Sequence, residues 1–160
     1  ITTAGTSGQV LQTTAGAATW VTPGVGWRLF HNTSQALIDG VNVLSWNTEV
    51  FDTDGFHSTA VASSVVTITS SGTYLIGAAV EFLTSGAKGQ VLITVGSTTI
   101  VSNMVTLTGG TNMRVPLMTA YNFATSGATL MVTVQPITGT TNEQPSAAEY
   151  SPIFWGWKVS

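Results

Sequence analysis

Apolar and polar positions alternate with a period of two along most of this chain. From Val25 onward the alternation comes in short runs broken by turn-forming pairs. The runs predict strands at 25–31, 35–38, 41–46, 48–51, 64–69, 73–83, 90–95, 98–107, 112–123, 128–135 and 152–159. They are rich in Val, Ile, Thr and aromatic residues, which suit a pleated, half-buried surface. The separators include Asp39-Gly40, Asp54-Gly55, Ser71-Gly72, Gly96-Ser97 and Ser126-Gly127, pairs that supply turn geometry. No stretch joins helical spacing to a capping box and a terminal Gly. About ten short strands without a helix predict an all-β, antiparallel sandwich or barrel.

The longest run, 73–83, has two unlike faces. Tyr74, Ile76, Ala78, Val80 and Phe82 form one, and their larger side chains are expected to fill the space between two sheets. Leu75, Gly77, Ala79, Glu81 and Leu83 form the other. Gly77 and Ala79 there leave room for a close neighbour.

Two segments break the rhythm. Residues 1–24 are small and polar, with Val10, Leu11 and Trp20 as the only substantial apolar anchors. Such a segment buries little surface by itself. It is expected to be an extended connector, distinct from a head domain at 25–160, that orders only against neighbouring copies or the domain that follows. Residues 137–151 contain Thr138-Gly139-Thr140-Thr141-Asn142-Glu143-Gln144-Pro145 and read as a long surface loop before the last strand. Ile1 in place of an initiator Met is expected of a fragment or processed product.

Composition narrows the function classes. Cysteine is absent, which removes disulfides and thiolate metal sites. Only 7% of residues are charged, against about 25% in an ordinary domain. The apolar runs are nevertheless far shorter than the ~18 residues of a spanning helix, so membrane insertion is not expected. The four basic residues, Arg28, Lys88, Arg114 and Lys158, form no cluster, which argues against nucleic-acid binding. Solubility must rest on Ser, Thr, Asn and Gln, a surface that suits an exported or particle-bound protein.

Catalytic chemistry finds little support. An acyl-transfer triad needs a nucleophile, a base and an orienting acid, and the only bases of that kind are His31 and His57, at strand ends or loops. No Gly-x-Ser-x-Gly elbow and no phosphate-binding loop occurs. Glu49, Asp52 and Asp54 crowd one turn, where a carboxylate pair for glycoside hydrolysis is less natural than an Asp-capped turn. Asp52-Thr53-Asp54-Gly55 also opens like a calcium loop but lacks its terminal Glu, so no metal and no cofactor is assigned. Trp155 and Trp157 share one parity; core packing is favoured for them over a sugar-stacking platform.

Four motifs, taken in order, resemble the jelly roll of the complement-subcomponent-q globular head and the tumour-necrosis-factor family. They are Val50-Phe51-Asp52-Thr53 with Asp54-Gly55-Phe56; Val65–Ile68 leading into Gly72-Thr73-Tyr74; Tyr121-Asn122-Phe123 followed by Gly127 and an apolar strand; and the closing Pro152-Ile153-Phe154-Trp155-Gly156-Trp157-Lys158-Val159. The resemblance spans about residues 26–160. Ile76 and Ala78 stand where that family often has aromatics, and Gly127-Ala128 where it often has Gly-Asp, which places the chain on a distant branch. The segment Gly8-Gln9-Val10-Leu11, Gly16 and Trp20 resembles a connector found before terminal domains of bacteriophage fibres and collagen-like surface proteins.

Together these resemblances imply a non-enzymatic homotrimeric knob on a bacteriophage fibre or appendage, at the virion surface. The connector would join other virion proteins, and the loops would bind host-surface glycans or another receptor. A head-fibre or decoration protein with a purely structural role, and a bacterial or spore-surface adhesin, remain alternatives. The resemblance also implies that Leu75, Gly77, Ala79 and Glu81 face the three-fold axis, with Phe154 and Lys158 on the matching parity of the last strand. Glu81 and Lys158 would then pair at or near the interface, within or between subunits, with a place for Glu81 at the solvated rim as the alternative.

Overall fold

The computed structural model describes residues 10–14, 17–21, 24–38, 40–83, 88–106, 113–138, 141–143 and 152–160. In chain order its strands are β1 (Val10–Thr14), β2 (Ala17–Val21), β3 (Gly26–Phe30), β4 (Gln35–Leu37), β5 (Asn42–Val43), β6 (Thr48–Asp52) and β7 (Val66–Thr67). They continue as β8 (Gly72–Leu83), β9 (Lys88–Val95), β10 (Thr98–Thr106), β11 (Met113–Phe123), β12 (Thr129–Thr138), β13 (Thr141–Glu143) and β14 (Ile153–Lys158). No helix occurs among the described residues.

Among the described residues β1 and β2 pair only with each other. The remaining strands form a seven-stranded front sheet and a five-stranded back sheet. In the front sheet β11 runs along one side of β8 from Met113↔Phe82 to Phe123↔Gly72. On the other side of β8 lie β14 and then β13, with β3 beyond β14 and β6 beyond β3. The back sheet runs β10-β9-β12, and the short β5 and β7 both dock on β12. Every pairing is antiparallel, so the molecule is an all-β jelly-roll sandwich, as the alternation predicts. Pro116 lies on β11, whose ladder runs to β8 alone, a place where a missing N–H is tolerated.

The core fills the space between the sheets. Tyr74, Ile76, Ala78, Val80 and Phe82 of β8 are buried, as expected, opposite Val91 and Ile93 of β9 and Leu130, Val132 and Val134 of β12. An aromatic cluster occupies one part of this layer. Trp27 meets Phe56 at 5.0 Å and Phe154 at 5.8 Å between ring centroids, and Phe154 meets Trp46 at 5.6 Å. The turn between β9 and β10 is the pair Gly96-Ser97, and Gly96 takes φ 56°, a conformation glycine adopts without steric cost.

The structure corrects several sequence expectations. The segment before the head carries strands not assigned from the sequence, since residues 10–14 and 17–21 pair as the β1–β2 hairpin. The stretch 137–151 is not all loop: β12 continues to Thr138, and β13 pairs with β4 and β8. Residues 144–151 of that stretch lie outside the described residues. The runs at 41–46 and 64–69 shorten to two-residue strands.

Phe154 points into the core, with none of its surface exposed, so it does not belong to the outer face. Lys158 shares that inward parity and stands opposite Tyr74, where Nζ donates to Ser70 Oγ at 3.2 Å. Glu81 is opposite Arg114 instead. Tyr74 and Glu81 are seven residues apart on β8, or ~23 Å at strand rise. Within one chain, therefore, Glu81 and Lys158 do not pair.

Phe154 anchors the aromatic cluster from the last strand. Phe154→Ala is expected to lower unfolding free energy by ~3–5 kcal/mol, read from urea denaturation followed by circular dichroism.

Candidate functional site: the open face of the front sheet

The front sheet turns one face to the core and leaves the other open. On β8 the open face carries Leu75, Gly77, Ala79 and Glu81, which share one parity as the sequence predicts. On β11 it carries Arg114, Pro116, Met118 and Ala120, in register with that set. On β14 it carries Ile153, Trp155 and Trp157, paired with Ala79, Gly77 and Leu75. Trp155 and Trp157 are thus outside the core, contrary to the packing expected of them. The reason lies at Gly156, which faces inward against Trp27: a methyl group there would stand 2.1 Å from Trp27 Cη2. With Gly156 turned in, both flanking tryptophans must turn out.

Glycines on neighbouring strands receive these rings. A methyl group on Gly77 would stand 2.3 Å from Trp155 Cζ2. Gly24 and Gly26 lie under Trp157 in the same way, at 2.2 Å and 2.7 Å from its ring. Trp157 also meets Phe51 edge-on at 5.8 Å. The indoles consequently lie flat on the sheet, and the open face is apolar and low in relief. Met118 rises from it with 63% of its surface exposed, and Trp157 with 40%. Between β8, β11 and β14 a cavity of about 400 Å³ is lined by Ala79, Arg114, Pro116, Met118, Ile153 and Trp155, among others. Glu81 and Arg114 are directly opposed in register, so the charges on this part of the face offset one another.

The acidic turn is built differently. Asp52 Oδ1 accepts the backbone N–H groups of Asp54 and Phe56 at 3.2 and 3.0 Å, and Oδ2 accepts that of His57 at 2.8 Å. Asp54 Oδ2 accepts the Thr69 hydroxyl at 2.5 Å. These bonds match the capped-turn reading of Asp52. His57 lies 2.9 Å through Nδ1 from Glu49 Oε1 and 2.9 Å through Nε2 from the Ser63 carbonyl oxygen. Both ring nitrogens are engaged and the side chain is enclosed, so His57 ties the 53–65 loop to β6. That same Ser63 carbonyl also accepts Trp46 N–H at 2.8 Å. His31 is buried, with Nε2 3.0 Å from Thr33 Oγ1. The histidines and the carboxylate turn are therefore spent on structure, and the open face presents apolar chemistry that the fold of one chain leaves exposed.

The fold is that of tumour-necrosis-factor and complement-q heads. It is similar to the crystal structure of murine APRIL at pH 5.0, with TM-score 0.64 and 13% identity, over 85% of this chain and 99% of that one. It is also similar to the globular domain of zebrafish complement 1qA protein, with TM-score 0.60 and 10% identity, over 85% and 98% of the two chains. Identities this low establish likeness of fold. No protein-family model and no curated protein sequence matches the chain.

Two substitutions test the local architecture. Gly77→Val is expected to force Trp155 off the sheet and cost ~1–3 kcal/mol of stability, a penalty that shrinks in a Trp155→Ala background. Asp52→Ala strands the backbone donors of residues 54, 56 and 57 and is expected to cost ~2–3 kcal/mol. Denaturant titration of the four variants reads both effects.

Proposed function

We propose that this chain is a non-enzymatic, homotrimeric head, in which three copies pack the open faces of their front sheets around a common axis. The observation that carries this reading is the apolar open face with Trp155, Trp157 and Met118. Contiguous exposed apolar patches of this kind mark interaction surfaces. Gly77 and Ala79 allow close approach, and a face with few charges tolerates burial. The likeness to tumour-necrosis-factor and complement-q heads supports the same arrangement, since such heads are often trimeric, extracellular and receptor-binding.

On this reading the head terminates a surface fibre or appendage of a bacterial virus. The support is the resemblance of Gly8–Leu11, Gly16 and Trp20 to fibre connectors. The ligand class is host-surface glycan, met by loops rich in hydroxyl and amide groups. Three identical weak sites on one rigid head gain strength through effective concentration.

Light scattering on the purified chain at micromolar concentration is expected to give three copies. Met118→Glu places a carboxylate from each copy in the interface and is expected to yield monomers that keep the native circular dichroism spectrum. On a glycan array or intact host cells the monomeric variant should bind at least ~100-fold more weakly than the trimer. A monomeric parent chain with native circular dichroism removes the trimer. Antibody to this chain should label projecting appendages on intact virions, and labelling absent from particles removes the viral assignment.

A further inference from the structure

The β1–β2 hairpin stands apart from both main sheets. Among the described residues its strands pair with each other and with no other strand. A lone two-stranded hairpin is marginal in water and persists when another apolar surface covers one of its faces. The register identifies the face that needs cover. Leu11 lies directly across from Trp20, and they are 47% and 37% exposed. Ala18, two residues from Trp20 and so on the same side, is exposed as well. The two strands, Val-Leu-Gln-Thr-Thr and Ala-Ala-Thr-Trp-Val, carry no charge, so nothing electrostatic opposes the approach of identical copies.

The route of the chain into the head limits where the hairpin lies. Gly24 passes under the indole of Trp157 on the open face of the front sheet. The next residue, Val25, accepts Lys158 N–H through its carbonyl at 2.8 Å. The chain is therefore anchored at Gly24 beneath a ring of the face that the trimeric reading turns toward the axis. Val21 and Gly24 are three peptide steps apart, at most ~11 Å. Each hairpin is accordingly tethered close to the entry point, and three entry points gathered near one axis bring three hairpins within reach of one another.

We infer that the Leu11–Trp20 faces of three copies of this chain pack together about the axis that joins the heads, forming a stem continuous with the head interface. This rests on the trimeric reading of the head and adds a second, separable contact. The exposed apolar face of each hairpin then becomes a contact between chains, and it aligns the three chains before they meet the rest of the fibre.

The absence of cysteine makes single-cysteine variants clean reporters. Leu11→Cys, Ala18→Cys and, on the exposed side of β7 in the back sheet, Thr67→Cys are each made in the full chain. Each is treated with a short bis-maleimide, with light scattering run in parallel. Covalent dimers are expected to form at least ~10 times faster from Leu11→Cys and Ala18→Cys than from Thr67→Cys, because the stem raises the local thiol concentration. Equal rates at all three sites in a sample that scatters as three copies overturn the stem and leave the trimeric head standing. One copy by light scattering for the parent chain overturns both. If Leu11→Cys alone disturbs the hairpin, the rate from Ala18→Cys decides.

Discussion

The insertion of β14 between β8 and β3 is the contact on which the rest of the structure depends, and it works by exchanging tryptophan for glycine across each border. Gly156 of β14 stands opposite Trp27 of β3, and Trp155 of β14 stands opposite Gly77 of β8. The first exchange drives an indole into the core, where it contacts Phe56, Tyr74 and Phe154. The second lays an indole flat on the outside. An indole buries roughly 150–250 Å², worth about 4–6 kcal/mol before conformational entropy is subtracted. A slip of one residue would put each ring against the wrong surface and each glycine against nothing. Register, core composition and the character of the open face are thus set by one six-residue strand.

With few charges to spend, the loops are held by side-chain bonds to the backbone. Asn42 illustrates this economy. Its amide oxygen accepts Ile38 N–H at 3.0 Å, and its amide nitrogen donates to the carbonyls of Ile38 and Gly40 at 2.7 and 3.2 Å. A longer contact, 3.4 Å, reaches Val134 O on β12. Asp52 does the same for the turn after β6, and Asn47 bridges to Asn32 and Thr33. Bonds of this kind are short-ranged and little affected by salt, unlike surface ion pairs. The surface can therefore stay nearly neutral without loosening the loops, which on the trimeric reading eases the covering of a broad sheet face.

The strands were legible because alternation is a local property: the run at 73–83 showed both its burial pattern and its small-residue face. The jelly roll was legible from the order of four motifs whose individual signals are weak. The parity of β14 was not. Ile153, Trp155 and Trp157 present the larger side chains, and size alone turns them inward. The deciding partner, Trp27, is more than a hundred residues away. Phe154 and Lys158 were misplaced for the same reason. β13 was hidden because three polar residues become a strand only when β4 and β8 offer edges on both sides. The β1–β2 hairpin was hidden because its residues are small and polar apart from the pairs Val10–Val21 and Leu11–Trp20, which face each other only after the chain has turned.

The two outward tryptophans couple folding to assembly on the trimeric reading. Trp155 is held by Gly77 beneath it and forms one wall of the open cavity. Its inner surface belongs to the stability of one chain, and its outer surface to the contact between chains. The same side chain cannot be optimised for one without affecting the other. A head built this way gains stability by mass action, because any partner that binds the folded form alone draws the unfolding equilibrium toward it. Closed cyclic symmetry then limits growth: three copies that consume one another's open faces leave no front-sheet face for a fourth. The back sheet carries the short strands β5 and β7 along its β12 edge, and its exposed positions mix polar residues such as Thr67 and Ser102 with Val43 and Met104. On the trimeric reading, what marks the front sheet for association is the pair of indoles seated on Gly77 and on Gly24 and Gly26, rather than exposed apolar side chains alone.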